Sequence, residues 1–152
     1  MSLKVEDVMV TDVISISARA TVKKAAEIMN KYEIGSLLVV ENNRAIGIIT
    51  ERDLLKRVVA KALNPAKTRV KEIMSKPLIV AEPDMDLEEA VKLMFEMKIK
   101  KLPVVKDGKL VGLVSLTDVA RFQPHMIKIL KKLAERHIPP RRIEKVLHYY
   151  IT

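Results

Sequence analysis

Apolar residues recur along this chain in two spacings, and the alternation between them predicts its elements. After Thr21, a suitable N-cap, apolar side chains at Val22, Ala25, Ala26 and Met29 fall on one face of a helix. Two short runs dense in Val, Ile and Leu follow, Leu37–Glu41 and Ala45–Thr50, on either side of Asn42-Asn43. They predict a β-hairpin with both faces covered. The succession then returns. Leu87, Ala90, Val91 and Met94 have helical spacing behind an Asp86/Glu89 capping-box pattern. Leu102–Lys106 and Leu110–Ser115 flank Asp107-Gly108, a strong two-residue turn signal. Each block opens with a short helical turn (Val8-Met9, Ile73-Met74) and a brief extended segment (Val13-Ile14-Ser15, Leu78-Ile79-Val80). Each closes with a helix starting at Thr50 or Ser115. The first of these continues to about Leu63, where Asn64-Pro65 stops it.

The two blocks are a repeat. A shift of 65 residues superimposes 5–54 on 70–119 without a gap. Val5, Met9, Ile14, Ala25, Met29, Ile34, Val39, Val40, Gly47 and Asp53 recur as Val70, Met74, Ile79, Ala90, Met94, Ile99, Val104, Val105, Gly112 and Asp118. An ungapped match of this length implies duplication of one structural unit. The fold class is therefore α/β (α+β), two β-α-β-β-α units with C-terminal helices appended. Residues 5–63 form the first unit with its linker helix, 70–120 the second, and 121–152 the extension. A unit of about 50 residues buries too little surface alone, so the two are expected to pack face to face.

Composition narrows the function classes. The absence of cysteine removes disulfides, thiolate metal sites and cysteine nucleophiles. No apolar run approaches the roughly 20 residues of a membrane span. The N-terminal MSLKVEDVMV has acidic residues where a signal peptide has its apolar core, so a cytoplasmic protein is expected. The net charge of +9 is concentrated at one end: residues 121–152 hold eight Lys/Arg against two Asp/Glu. There Pro124, Met126, Ile129, Leu130, Leu133 and Ala134 predict one amphipathic helix. Ile143, Val146, Leu147, Tyr150 and Ile151 predict another beyond Ile138-Pro139-Pro140. Two roles fit this extension: cover for the module or its dimer partner, or a basic surface for nucleic acid.

The order of elements, with GIITERD closing the first unit and GLVSLTD the second, resembles the CBS domain family. VEDVM/VKEIM and the KKLPVV stretch add to the likeness, which covers residues 5–120. The resemblance implies a tandem CBS pair (a Bateman module) with a pseudo-two-fold axis, two clefts between the units, and a homodimeric disc. It implies a non-catalytic regulator that requires no cofactor, binds AMP, ADP, ATP or S-adenosylmethionine, and signals to a regulated protein. The family's ribose-binding mark is a Ser/Thr followed three residues later by Asp at a helix start. Here that is Thr50 with Asp53 and Ser115 with Asp118. An ionised carboxylate on a rigid element accepts hydrogen bonds from both ribose hydroxyls. The same pattern is also an ordinary helix cap, and one helix start can serve both purposes. By position, Val13, Ile14 and Ile34 would line one adenine pocket, and Leu78, Ile79, Ile99 and Pro103 the other. Lys100 and Lys101 would meet phosphates in the Asp53 cleft, and Arg52 those in the Asp118 cleft. The expected clefts contain no histidine, cysteine or paired carboxylates, so neither a catalytic nor a metal site is expected. Two other readings stand beside the sensor: a nucleic-acid-associated regulator using the basic tail, and a structural dimer with empty clefts.

Overall fold

The computed structural model describes residues 3–76, 78–126, 128, 131–132 and 135. Its elements follow the repeat. A 3-10 turn at Val5–Asp7 precedes β1 (Ser15–Ser17), α1 (Val22–Tyr32), β2 (Ser36–Glu41), β3 (Arg44–Thr50) and α2 (Glu51–Leu54). A π-helical turn at Leu55–Val59 extends α2. The second unit has α3 (Val70–Ile73), α4 (Leu87–Glu96), β4 (Lys101–Lys106), β5 (Lys109–Ser115) and α5 (Leu116–Phe122). The helices expected beyond α5 lie for the most part outside the described residues.

Local chemistry explains most of these boundaries. Thr21 caps α1, its hydroxyl accepting the Lys24 N–H at 3.2 Å. Both hairpins turn through two residues at positive φ, Asn42-Asn43 and Asp107-Gly108. That geometry matches the twist of the flanking strands. Each hairpin carries a bulge at the equivalent place, Val39/Val40 and Val104/Val105.

Three expectations are corrected. The first strand lies later than Val13-Ile14-Ser15: β1 pairs in parallel with β2 through Ile16 opposite Val39. In the second unit Leu78-Ile79-Val80 only approaches the sheet. Ala81 alone bridges Val104, between Pro103 O and Val105 N. Ile16 and Ala81 are the residues that bury in the cores, and burial sets the register. Second, Asp86 stands at the N-cap of α4 without a side-chain cap bond; its carboxylate takes the Lys4 ammonium at 2.7 Å. That hydrogen bond and the carboxylate's charge raise the pKa of Lys4. Third, the helix after Thr50 is α-helical only to Leu54 and continues as a π-helical turn to Val59. The chain leaves it through a left-handed Ala62, before Asn64-Pro65 is reached.

Among the described residues there are two hydrophobic cores, and each contains the opening turn of the other unit. Val5 and Val8 bury among Leu87, Val91, Leu102 and Val114. Val70, Ile73 and Met74 bury among Val22, Met29, Leu37 and Ile49. Backbone pairing seals the exchange. Val10 bridges Leu113 with bonds of 2.8 and 2.9 Å, and Ser75 bridges Ile48 with bonds of 2.8 and 3.1 Å. The recurring glycines now have a cause: Met74 lies over Gly47 and Met9 over Gly112. A Cβ at either glycine would stand 2.6 Å from the methionine sulfur and 3.1 Å from a backbone carbonyl oxygen. Gly47→Ala and Gly112→Ala are each expected to cost about 1–3 kcal/mol through overpacking. Urea unfolding midpoints measure this. Unchanged midpoints would mean that the methionines move aside without cost.

Candidate functional site

The two Ser/Thr-x-x-Asp motifs occupy equivalent helix starts, but the structure treats them differently. At α2 the capping box is reciprocal: Asp53 N donates to Thr50 Oγ1 at 3.1 Å, and Thr50 N donates to Asp53 Oδ2 at 3.0 Å. The other carboxylate oxygen, Oδ1, accepts the Ser75 hydroxyl at 3.0 Å and lies 3.9 Å from Arg57 Nε. Arg57 is itself anchored on the carbonyls of Ile73 and Met74. Asp53 is consequently buried, 6% exposed, with both oxygens engaged. Glu51 adds a second carboxylate to this helix start, lying against Gly35.

At α5, Asp118 N donates to Ser115 Oγ at 3.0 Å, so that half of the cap is kept. The carboxylate of Asp118 is half-buried and accepts no hydrogen bond among the described residues. The reason lies in the two positions that tie down Asp53. Ser75 corresponds to Val10 and Arg57 to Phe122. Neither can donate to a carboxylate, and both are exposed, at 45% and 58%. Phe122 follows Asp118 by one helical turn, so it stands on the same side of α5.

The remaining expected residues divide as follows. Ile14 and Ile34 pack on the edge of the first core, Ile79 and Ile99 on the edge of the second. Pro103 is buried, Val13 and Leu78 are half-buried, and Arg52 and Lys100 are exposed. Lys101 pairs in register with Ser115, and its ammonium reaches the Ser36 hydroxyl at 3.2 Å. Ser36 and Lys101 are equivalent positions, so their contact lies on the pseudo-two-fold axis, between the two helix starts. A groove of about 680 Å³ opens at the other end of the hairpins, lined by Ala45, Ile46, Leu78, Val80 and Val105 among others. It contains Leu78 but neither aspartate.

The sequence reading missed Arg57 and Ser75. Two signals pointed to them: the i, i+4 spacing of Asp53 and Arg57, and the polar residue at each position where the other copy is apolar. Among the described residues no group of three or more His, Asp or Glu side chains could hold a metal ion. Nor is any described helix long and apolar enough to cross a membrane.

This exchanged pair of units is the architecture of tandem CBS proteins, and the CBS domain model matches residues 5–60 and 70–125. The chain belongs to the CBS domain family. An uncharacterized protein of Methanopyrus kandleri is 41% identical over 133 residues, 86% of this chain and 68% of that one. A CBS domain-containing protein of Bacillus subtilis is 38% identical over 116 residues, 76% of this chain and 82% of its own. Among solved structures, the CBS domain pair of protein MJ0100, in complex with 5′-methylthioadenosine and S-adenosyl-L-methionine, superposes with a TM-score of 0.71 at 28% identity. That superposition covers 82% of this chain and 98% of the other.

The two aspartates should differ in stability as they differ in bonding. Asp53→Ala strands the Ser75 hydroxyl and the Thr50 N–H and leaves Arg57 without its carboxylate. It is expected to cost about 1–3 kcal/mol. Asp118→Ala should stay within about 0.5 kcal/mol of the parent. Equal shifts in urea midpoint would contradict the distinction.

Proposed function

We propose that this chain is a non-catalytic regulatory module whose CBS pair takes an adenosine-containing ligand, with Asp118 as its primary ribose acceptor. The observation that carries the reading is the Asp118 carboxylate, which accepts no hydrogen bond among the described residues and sits on a capped helix start, with exposed Phe122 one turn further along α5 and exposed Val10 at the position equivalent to Ser75. A vicinal diol offers two donors, and an ionised carboxylate with both oxygens available accepts both. An apolar and aromatic flank gives a purine a surface to lie on. Ile79, Ile99 and Pro103 belong to the same unit and are the adenine-side residues of this site, with Leu78 at its margin. Lys101, on the pseudo-axis, can reach phosphate from either side. Lys100 and Arg52 are exposed cations available to a ligand with more than one phosphate. The ligands of the MJ0100 pair are both adenosine derivatives, which supports this ligand class.

Asp53 is the secondary site. A ribose there must displace Ser75 and Arg57 from the carboxylate, and the adjacent Glu51 opposes a phosphate. Binding at Asp53, with Val13, Ile14 and Ile34 on the adenine side, is therefore weaker than at Asp118. Ligand state would pass to a regulated protein through the position of α5 and the segment after it, in a homodimer of modules.

A thermal-shift panel of AMP, ADP, ATP and S-adenosylmethionine tests the reading. A ligand at 100 times its Kd should add about 2.7 kcal/mol of stability. Asp118→Ala should abolish that gain. Asp53→Ala should keep it, on a lower starting Tm. If no adenosine ligand shifts the parent, the module is structural. If Asp118→Ala responds like the parent, the site lies elsewhere.

A further inference from the structure

The approach to α1 and the linker into α3 lie side by side, and their exposed charges are all positive. Thr21 bridges Arg69 in antiparallel pairing. Val22 N donates to Thr68 O at 2.9 Å, Val70 N to Ala20 O at 2.8 Å, and Lys71 N to Ala18 O at 3.0 Å. Ala18, Val22, Thr68 and Val70 point inward and are buried. Arg19, Arg69 and Lys71 are exposed, and together they line a cavity of about 390 Å³. Lys23 and Lys67, also exposed, stand at the other end of the contact, where Lys23 N donates to Pro65 O at 3.1 Å.

Nothing inside the chain balances these charges. Segments 19–24 and 67–71 hold six Lys or Arg and no Asp or Glu. Among the described residues Arg19, Lys23, Lys67, Arg69 and Lys71 form no salt bridge. The adjoining Glu72 carboxylate accepts the Arg69 backbone N–H at 2.6 Å. Like charges opposed across paired segments destabilise the pairing. The Arg69 guanidinium is nonetheless held in place, donating to the Arg19 carbonyl at 2.9 Å. That bond fixes the fork and leaves it further N–H donors.

The second unit makes the same contact with its charges balanced. Lys4 bridges Asp86, and its ammonium meets that carboxylate at 2.7 Å. Asp84 and Glu89 also stabilise the ammonium through their charge. The positions of Asp84, Asp86 and Glu89 are taken in the first unit by Arg19, Thr21 and Lys24, and that of Glu6 by Lys71. The three carboxylates that act on Lys4 thus have no counterpart around Arg69. The fold accepts acids at these positions, so the fold does not require cations there.

We propose that Arg19, Lys23, Lys67, Arg69 and Lys71 form a track for the phosphate backbone of a nucleic acid. The track is distinct from the Asp118 cleft and from the basic extension at 121–152. Phosphodiesters are held by charge and N–H donors alone. An acidic protein segment binds through apolar anchors as well, and the cavity lining is three cations with no apolar side chain. A single phosphate is too short for the track, since two residues of extended chain, as from Lys67 to Arg69, already span roughly 7 Å. No aromatic side chain occurs in 19–24 or 67–71, so no base is stacked and binding is independent of sequence. None of this depends on the adenosine reading, and its test uses no adenosine ligand.

The test is fluorescence anisotropy of the full chain with a labelled DNA duplex of about 20 base pairs, at salt from about 50 to 200 mM. Arg19→Asp/Lys71→Glu gives both positions the residues of their counterparts, Asp84 and Glu6. It should weaken binding roughly tenfold or more and flatten the slope of log K against log salt by about two. Lys106→Glu/Lys109→Glu makes the same change in net charge on the β4–β5 hairpin and should leave that slope unchanged. Lys71→Ala alone should flatten the slope by about one, a readout that stands even if the double variant is destabilised. A parent that does not bind the duplex overturns the proposal. So does an Arg19→Asp/Lys71→Glu variant that binds like the parent, because binding then belongs to the extension. Equal losses in the hairpin variant would reduce the effect to net charge and overturn it too. Two competitors identify the ligand. Binding of inorganic polyphosphate without binding of the duplex overturns the assignment to nucleic acid. Polyglutamate that displaces the duplex as well as unlabelled DNA does, at equal charge, would make the track a dock for an acidic protein and overturn it likewise.

Discussion

Val5 lies in the core of the second unit and Val70 in the core of the first, both fully buried. Neither core is complete without three or four side chains from the other half of the sequence. This follows from size: a unit of about 50 residues has too much surface for its volume, and borrowing a turn from its neighbour closes the core. The strand-like pairing of Val10 with Leu113 and Ser75 with Ile48 then fixes how the units face each other. At that contact methionine lies over glycine, with no free space for a Cβ.

The exchange also decides the character of each helix start. The segment that crosses over delivers Ser75 to Asp53 and, at the equivalent position, Val10 to Leu113 of the strand that leads into α5. One delivered hydroxyl, with Arg57 behind it, turns Asp53 into a buried structural carboxylate. The corresponding valine offers no donor, and the Asp118 carboxylate accepts no hydrogen bond among the described residues. Two differences at equivalent positions thus separate a carboxylate engaged on both oxygens from one that accepts no hydrogen bond among the described residues. Pseudo-symmetry guarantees equivalent geometry, and the residues that cross between units determine whether the chemistry is equivalent.

The sequence by itself determined the duplication, the class and order of elements, the hairpin turns and the helix starts at Thr50 and Ser115. All of these depend on neighbours within a few residues, where spacing, turn chemistry and caps act directly. Only the tertiary structure decided which core each opening turn enters, that Asp86 serves Lys4 and not the cap of α4, and that β1 begins at Ser15. It alone decided that Asp53 is consumed by Ser75, 22 residues away, while Asp118 is not. Those outcomes are competitions between local partners and distant ones. A distant donor wins a carboxylate when the fold holds it within 3 Å at little further entropic cost, and no local pattern in the chain states where the fold will hold it.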